Sequence, residues 1–384
     1  MPSEQQSRKI ISGISSKTAG DEGGRTSSDL PGLHQSFVRG FLHTPIGAVP
    51  VVEADLSRRD LLGSLKVRFG IGWRNYSLDP GLYALGRPDE ASPVVVSAND
   101  KASFDRLREA LSGRSAWILV LDTQGVNVWC AAAKGDFGTE ELVLRLQSSG
   151  LGQVVKHRRL ILPQLAASGV AAHEVRSRTG FTVSYGPVEA YDLPAYLDAG
   201  MKATEAMRRK TFPLRDRIAL IPMEWISSLK LLIPLCLFFL LAAGIDAEYG
   251  WKTALAFDSG LFMVYALLGA FFSGTTVTPA LFPWLPGRTF AAKGLCPAWI
   301  IVLFLLNARL TSPLSLPRVL ESFSVLFLVP AVSSFLAMRF TGSTLITSLS
   351  GVRREMRLAL PLQIAGGLAG LALWIAAKTL RILW

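Results

Sequence analysis

Five apolar stretches in the second half of the chain constrain its folding more than any other feature. They run roughly Ile226–Ile245, Ala254–Phe272, Phe290–Leu310, Val319–Met338 and Leu358–Leu380. Each approaches the ~20 residues that an α-helix needs to cross a bilayer core. Inside hydrocarbon only helices and closed barrels satisfy their own backbone polar groups. An all-α transmembrane domain of five helices, residues 226–384, is therefore expected. Half of the chain is hydrophobic, and the excess lies almost wholly after Ile226. A soluble region should precede the membrane region.

The formal net charge is +11. Nucleic-acid binding is the usual first thought for a basic chain. No helix-turn-helix, zinc finger or aromatic-rich basic stripe is present, so no nucleic-acid partner is expected. The charge instead flanks the apolar spans, where cytoplasmic loops and anionic lipid explain it. Arg208, Arg209, Lys210, Arg215 and Arg217 precede the first span. Arg288 and Lys293 lie in the second connection, and Arg339, Arg353, Arg354 and Arg357 in the fourth. These segments share one side of the membrane, which predicts a multi-pass protein of the cytoplasmic (inner) membrane with its soluble domain in the cytoplasm. Lys378 and Arg381 oppose this slightly.

Residues 1–31 are rich in Ser, Gly, Gln and charge and lack periodicity, as a disordered leader does. No apolar h-region of a signal peptide is present. From 32 to 206 short apolar runs alternate with helical patterns. Strands are expected at Pro93–Ser97, Trp117–Leu121, Leu160–Leu162 and Phe181–Tyr185. Helices are expected at Ser103–Leu111, Thr139–Gln147, Ala171–Arg178 and Leu193–Met201. This spacing argues an α/β domain with a largely parallel sheet. A basic linker, 207–225, would join it to the membrane. In such sheets ligands sit beyond the carboxyl ends of the strands.

The stretch Asp122–Gly135 occupies that position. Asn127 stands where a helix N-cap belongs, with its side chain three residues before the Cys130 N–H. Ala131, Ala132 and Ala133 continue the helix at low entropic cost. Lys134 lies one turn past Cys130, and Gly135 is a natural stop. A helix this short needs packing or a ligand to hold it. The helix N-terminus and Lys134 should favour a Cys130 thiolate, which is either a nucleophile or a soft metal ligand. His34, His43, His157 and His173 have no motif context as a base. One cysteine with scattered histidines is too few for zinc. Cys236 and Cys296, the other two cysteines, lie in or beside spans, so neither a disulfide framework nor an iron–sulfur cluster is expected. A lone thiolate suits a metal that a macrocycle already holds.

The run Asn127-Val128-Trp129-Cys130-Ala131-Ala132-Ala133-Lys134 closely resembles the cap-helix motif of the mercury-methylating corrinoid proteins, the HgcA family. The resemblance includes Trp117–Gly125, Gly135–Thr139, His157–Leu165 and Tyr185–Val188. In the membrane part it resumes at Phe340–Thr344 and Thr347–Val352. Nearly all of the chain after the leader is covered. The family's soluble domain is similar to the corrinoid domain of the corrinoid iron–sulfur protein large subunit of the acetyl-CoA pathway, which lacks the cysteine and the spans. One departure is Ala133, where the family usually has glycine.

The resemblance implies a Rossmann-like, corrinoid-binding α/β domain. It implies a cobalamin-type cofactor whose cobalt takes Cys130 as lower axial ligand. Thr123, Gly125, Val126, Asn127, Val128, Trp129, Ala131, Ala132, Ala133 and Lys134 would line it. The implied activity is a methyltransferase that passes a cobalt-bound methyl group to inorganic Hg(II), giving methylmercury. Implied partners are a ferredoxin-like electron donor with two four-iron clusters and a methyl-donating corrinoid or folate methyltransferase. Two other readings stay open. The chain could be a membrane-bound corrinoid methyl carrier of one-carbon metabolism, or a membrane transporter with a cytoplasmic sensing domain.

Overall fold

The computed structural model describes residues 30–32, 35–72, 75–246, 250–310, 315–343 and 349–383. His34, nearly all of the leader, and Thr344, Thr347 and Ser348 of the resemblance lie outside them.

The α/β domain is built on one seven-stranded sheet. Its strands are β1 (Val38–Thr44), β2 (Gly47–Val52), β3 (Gly81–Leu85), β4 (Val94–Ala98), β5 (Ala116–Leu121), β6 (Arg159–Leu162) and β7 (Thr182–Tyr185), in the spatial order β1-β2-β3-β5-β4-β6-β7. Strands β5, β4, β6 and β7 are parallel to one another, as the alternation of strands and helices predicts. The sheet as a whole is mixed, because β1 and β2 form an antiparallel hairpin and β3 runs antiparallel to β5. The sequence hid this side of the sheet. β1 is half-exposed along its length and β3 (GLYAL) has no β-branched residue, so neither carries the strand signature of β4 or β5. Val94–Ala98 and Ala116–Leu121 are buried throughout, as expected of central parallel strands covered on both faces.

Helices α1 (Arg58–Arg68), α2 (Lys101–Ala110), α3 (Val128–Lys134), α4 (Thr139–Ser148), α5 (Ala172–Thr179) and α6 (Leu193–Asp198) complete the domain. One buried core includes Leu119, Leu121, Val128, Ala131, Phe137 and Leu160, and a second includes Tyr83, Phe104, Ile118 and Ile161. Since β4 pairs with β5 to their last residues, Ala98 opposite Leu121, the loops after them leave the sheet side by side.

Five helices long and apolar enough to cross a membrane follow. They are α7 (Leu214–Gly244), α8 (Thr253–Ala280), α9 (Phe290–Leu310), α10 (Leu316–Ser343) and α11 (Leu349–Leu383). The expected linker is shorter than its charges suggest, because α7 starts at Leu214. Packing decides this: Arg217 is buried with its guanidinium on the Ala280 carbonyl, and Ile221 and Glu224 are buried too. Asp258, a polar residue within α8, pairs with Arg309 at 2.6 Å, which also reaches Glu321 at 2.5 Å. Arg381 joins Glu321 at 2.8 Å, so one charge network ties α8 to α11. Charges in such surroundings persist only when paired.

Candidate functional site

The Cys130 helix forms as its residues dictate. The Asn127 Oδ1 accepts from the Cys130 N–H at 3.0 Å. Gly135 takes the left-handed conformation, φ 99°, and its N–H returns to the Ala131 carbonyl. The turn before α3 depends on a residue far away in sequence. Asn99, directly beyond β4, accepts with Oδ1 from the Thr123 N–H at 3.0 Å, the Thr123 hydroxyl at 2.8 Å and the Gly125 N–H at 2.9 Å. Its Nδ2 donates to Asp122 at 3.1 Å. The Val126 carbonyl, 2.6 Å from the same Thr123 hydroxyl, competes with Asn99 for its single proton. One buried amide thus sets the path of the chain from β5 into α3. Asn99→Ala orphans several buried donors at once and is expected to cost about 2 kcal/mol. Chemical denaturation and faster amide exchange at Thr123 and Gly125 would show it.

The short helix is held by protein packing on its inner side. Val128, Ala131 and Ala132 are buried in the first core. The segment after β6, Gln164–Ser168, packs against it and ends at Gly169. A Cβ on Gly169 would stand 2.4 Å from the Phe137 carbonyl oxygen and 3.0 Å from the Ala132 Cα. Only glycine allows that approach. A ligand is therefore not needed as the packing partner of this face.

The outer side of α3 is open. Cys130 is half-buried, with Asn127 three residues before it and Ala133 and Lys134 three and four residues after it, all exposed. These four residues share one face. Trp129 is half-buried at its margin. The structure so divides the expected site residues. Cys130, Asn127, Trp129, Ala133 and Lys134 are presented outward, whereas Thr123, Val128, Ala131 and Ala132 turn inward. Gly125 and Val126 shape the turn. A cavity of about 530 Å³ beyond the C-terminal end of α3 is lined by Asp122, Gln124, Gly135, Asp136, Glu140 and Arg178 and by none of the four residues of this face.

Burial works against the thiolate that the helix position of Cys130 favours. Burial pushes the Cys130 thiol up; Asn127 and Lys134 pull it down, and Asp100 pushes it up again. Burial outweighs the short helix and the exposed lysine, which water screens. A nucleophilic role finds no base either. His157 hydrogen-bonds the Ser92 carbonyl at 2.8 Å, just before the start of β4, and so sits at the opposite end of the parallel strands from Cys130. His173 is exposed on α5. Among the described residues no three His, Cys, Asp or Glu side chains are grouped as a protein-built metal site requires. A single soft donor on an open face bordered by Asn127, Ala133 and Lys134 fits a flat metal-bearing macrocycle.

Comparison with known proteins gives the domain its context. Residues 57–197 match the family model of the CO dehydrogenase/acetyl-CoA synthase delta subunit. The match is confined to the α/β domain. Among curated proteins, the gamma subunit of the acetyl-CoA decarbonylase/synthase complex of Methanocaldococcus jannaschii is 32% identical over 123 residues, covering 32% of this chain and 25% of that protein. The gamma subunit of Methanopyrus kandleri is also 32% identical, over 32% of this chain and 26% of its own length. The chain spans about a quarter of the length of the curated relatives it matches. The matched region includes β5, the Asn99 loop and α3.

Sequence reasoning missed Asn99 and Gly169. Asn99 could have been suspected from the Asn-Asp pair closing an apolar strand, a common turn signal. Gly169 carries no local signal, because its demand comes from α3.

Proposed function

We propose that the chain is a membrane-bound corrinoid protein that transfers a methyl group to inorganic Hg(II). The observation that carries the reading is the open face of α3, where Cys130 is presented and, among the described residues, no three His, Cys, Asp or Glu side chains are grouped as a metal site. The cofactor is a corrinoid, as in the corrinoid iron–sulfur protein subunits to which residues 57–197 are similar. When bound, it would supply a methyl group that can be transferred with its bonding electron pair to Hg(II), giving methylmercury. Cys130, as the thiolate, would hold the cobalt and donate electron density to it, as haem thiolates do to iron. Asn127 fixes where α3 starts and therefore where Cys130 points. Asn99 holds the turn that brings Asn127 into place. Trp129, Ala133 and Lys134 would border the macrocycle. A ferredoxin-like protein with two four-iron clusters supplies electrons, and a methyl-donating corrinoid or folate methyltransferase supplies the methyl group. The α/β domain faces the cytoplasm, in keeping with the basic segments at its end of the spans.

The similarity to acetyl-CoA decarbonylase/synthase subunits favours one other reading, a membrane-bound methyl carrier of one-carbon metabolism with mercury as an incidental acceptor. It shares Cys130 and the cofactor and differs in the acceptor. The absorption spectrum and cobalt content of the purified full chain after corrinoid loading test the shared part. Wild type should show a thiolate-ligated spectrum that Cys130→Ala lacks, and identical spectra would remove the ligand assignment. Methyl transfer to Hg(II) in competition with thiol acceptors then separates the two readings.

Ala133 gives a smaller prediction. It is exposed beside Cys130, so Ala133→Gly should lower the stability of α3 by about 1 kcal/mol. Corrinoid retention should stay the same, since Ala133 is exposed and adds only a methyl to this face. Tighter retention by the glycine variant, in a titration of the apoprotein, would show instead that this methyl obstructs the macrocycle.

A further inference from the structure

The first helix of the α/β domain carries an apolar stripe that the domain leaves uncovered. Leu61, Leu62, Leu65 and Phe69, with Ile71 just beyond, are between 38% and 58% exposed. Positions 61, 65 and 69 are successive steps of four along α1 and share one face, with Leu62 beside them. The opposite face is the one that meets the domain. Asp60 is buried there on Lys101 and Arg108, and a Cβ on Gly63 would stand 2.5 Å from the Tyr76 ring. The exposed Arg58, Arg59, Lys66 and Arg68 flank the stripe. Apolar side chains bordered by long basic ones are the chemistry of a helix lying in a lipid headgroup layer, stems among the lipids and charges on their phosphates.

The position of α1 agrees with its pattern. The Cβ direction of Gly70, at the end of α1, meets the Met223 Cγ of α7 at 3.9 Å. Met223 precedes the start of the apolar span at Ile226 by about 4.5 Å of helix. With 31 residues, α7 is about 46 Å long, more than the roughly 30 Å of a hydrocarbon core. Its first turns, where Leu214, Ile218 and Met223 are also exposed, therefore stand at headgroup depth. The exposed apolar surface runs from α1 onto α7 and so into the span itself. That continuity favours the bilayer over a second copy or a soluble partner as the occupant.

We propose that α1 docks on the anionic lipid surface of the bilayer that α7 crosses. The inference rests on reading α7 as a membrane span. Through Asp60 the docked helix is tied to the first turn of α2, which begins two residues after Asn99. Lipid contact at α1 would therefore set how the Cys130 edge of the sheet is held relative to the membrane.

The full chain in nanodiscs of phosphatidylcholine, with and without phosphatidylglycerol, provides the test by hydrogen–deuterium exchange. Peptides covering residues 58–71 should exchange at least ~10-fold more slowly when phosphatidylglycerol is present. Leu62→Ser combined with Leu65→Ser should abolish the difference. Equal exchange of the wild type in the two lipids overturns the proposal. So does slowing that depends on protein concentration rather than on lipid, which would assign the stripe to a second copy. Peptides covering 226–244 separate the two ideas. Protection there without slowing at 58–71 removes only the docking, whereas loss of protection at 226–244 removes the span reading beneath it.

Discussion

Replacing Cys130 by alanine should lower methylmercury formation by the full chain in membranes by at least ~100-fold, a loss no smaller than those seen when groups that merely support a metal ligand are removed. The change should leave the fold intact. Asn127 caps α3 through the Cys130 backbone N–H, which alanine retains. Alanine is a better helix former than cysteine, and the Cys130 side chain lies on the outer face rather than in the core. The thermal midpoint should therefore stay within the small range of surface substitutions. Activity and stability separate here, and their joint measurement makes the prediction specific. Wild-type rates of methylmercury formation in Cys130→Ala membranes would sink the mechanism. A large fall in thermal midpoint would mean that Cys130 acts through packing.

The second large effect concerns Asp60. Its carboxylate lies between Lys101 at 2.8 Å and Arg108 at 2.8 Å, and Asp105 bridges the same two cations at 2.5 and 2.8 Å. All four side chains are buried. Asp60→Asn keeps the shape but leaves two cations facing one carboxylate, and a buried pair broken in this way costs about 3–5 kcal/mol. Thermal unfolding of the full chain should show the loss, while corrinoid-free Cys130 remains reactive to thiol reagents. The sign of the pH dependence follows from the carboxylate. Burial raises its affinity for protons, but Lys101 and Ser57 overcome this and hold it well below the usual carboxylate range. A carboxyl depressed in the folded state stabilises above its unfolded pKa, about 3.9, and that contribution is lost as pH falls through the folded value. The stability gap between wild type and Asp60→Asn should thus be full at neutral pH and narrow below about pH 4. A gap unchanged on acidification would remove the charge network as its source.

The features legible in the sequence are those whose causes lie within a few residues. Asn127 caps α3 and Gly135 stops it because a cap and a left-handed stop are matters of three or four residues. β4 and β5 announce themselves by continuous apolar runs, and the five spans by length and hydropathy. The positions of Cys130, Ala133 and Lys134 on one face follow from helical spacing alone. None of this says what lies against the other face.

Tertiary structure decided the rest, because it turns on contacts between distant segments. β3 becomes antiparallel to β5 through pairing across 35 residues or so of chain, and a five-residue run cannot encode its partner's direction. Asn99 governs the turn before α3 only because β4 and β5 end side by side. Gly169 is needed only because another segment brings a backbone against it. The state of the thiol shows the division most clearly. Sequence placed Cys130 at a helix N-terminus one turn from a lysine, which argues for thiolate. Burial, which depends on everything packed around α3, argues against it and prevails in the free protein. The sequence determined which atom is offered and in which direction it points. Only the packed domain determined that burial pushes the thiol up against the pull of the helix and the lysine.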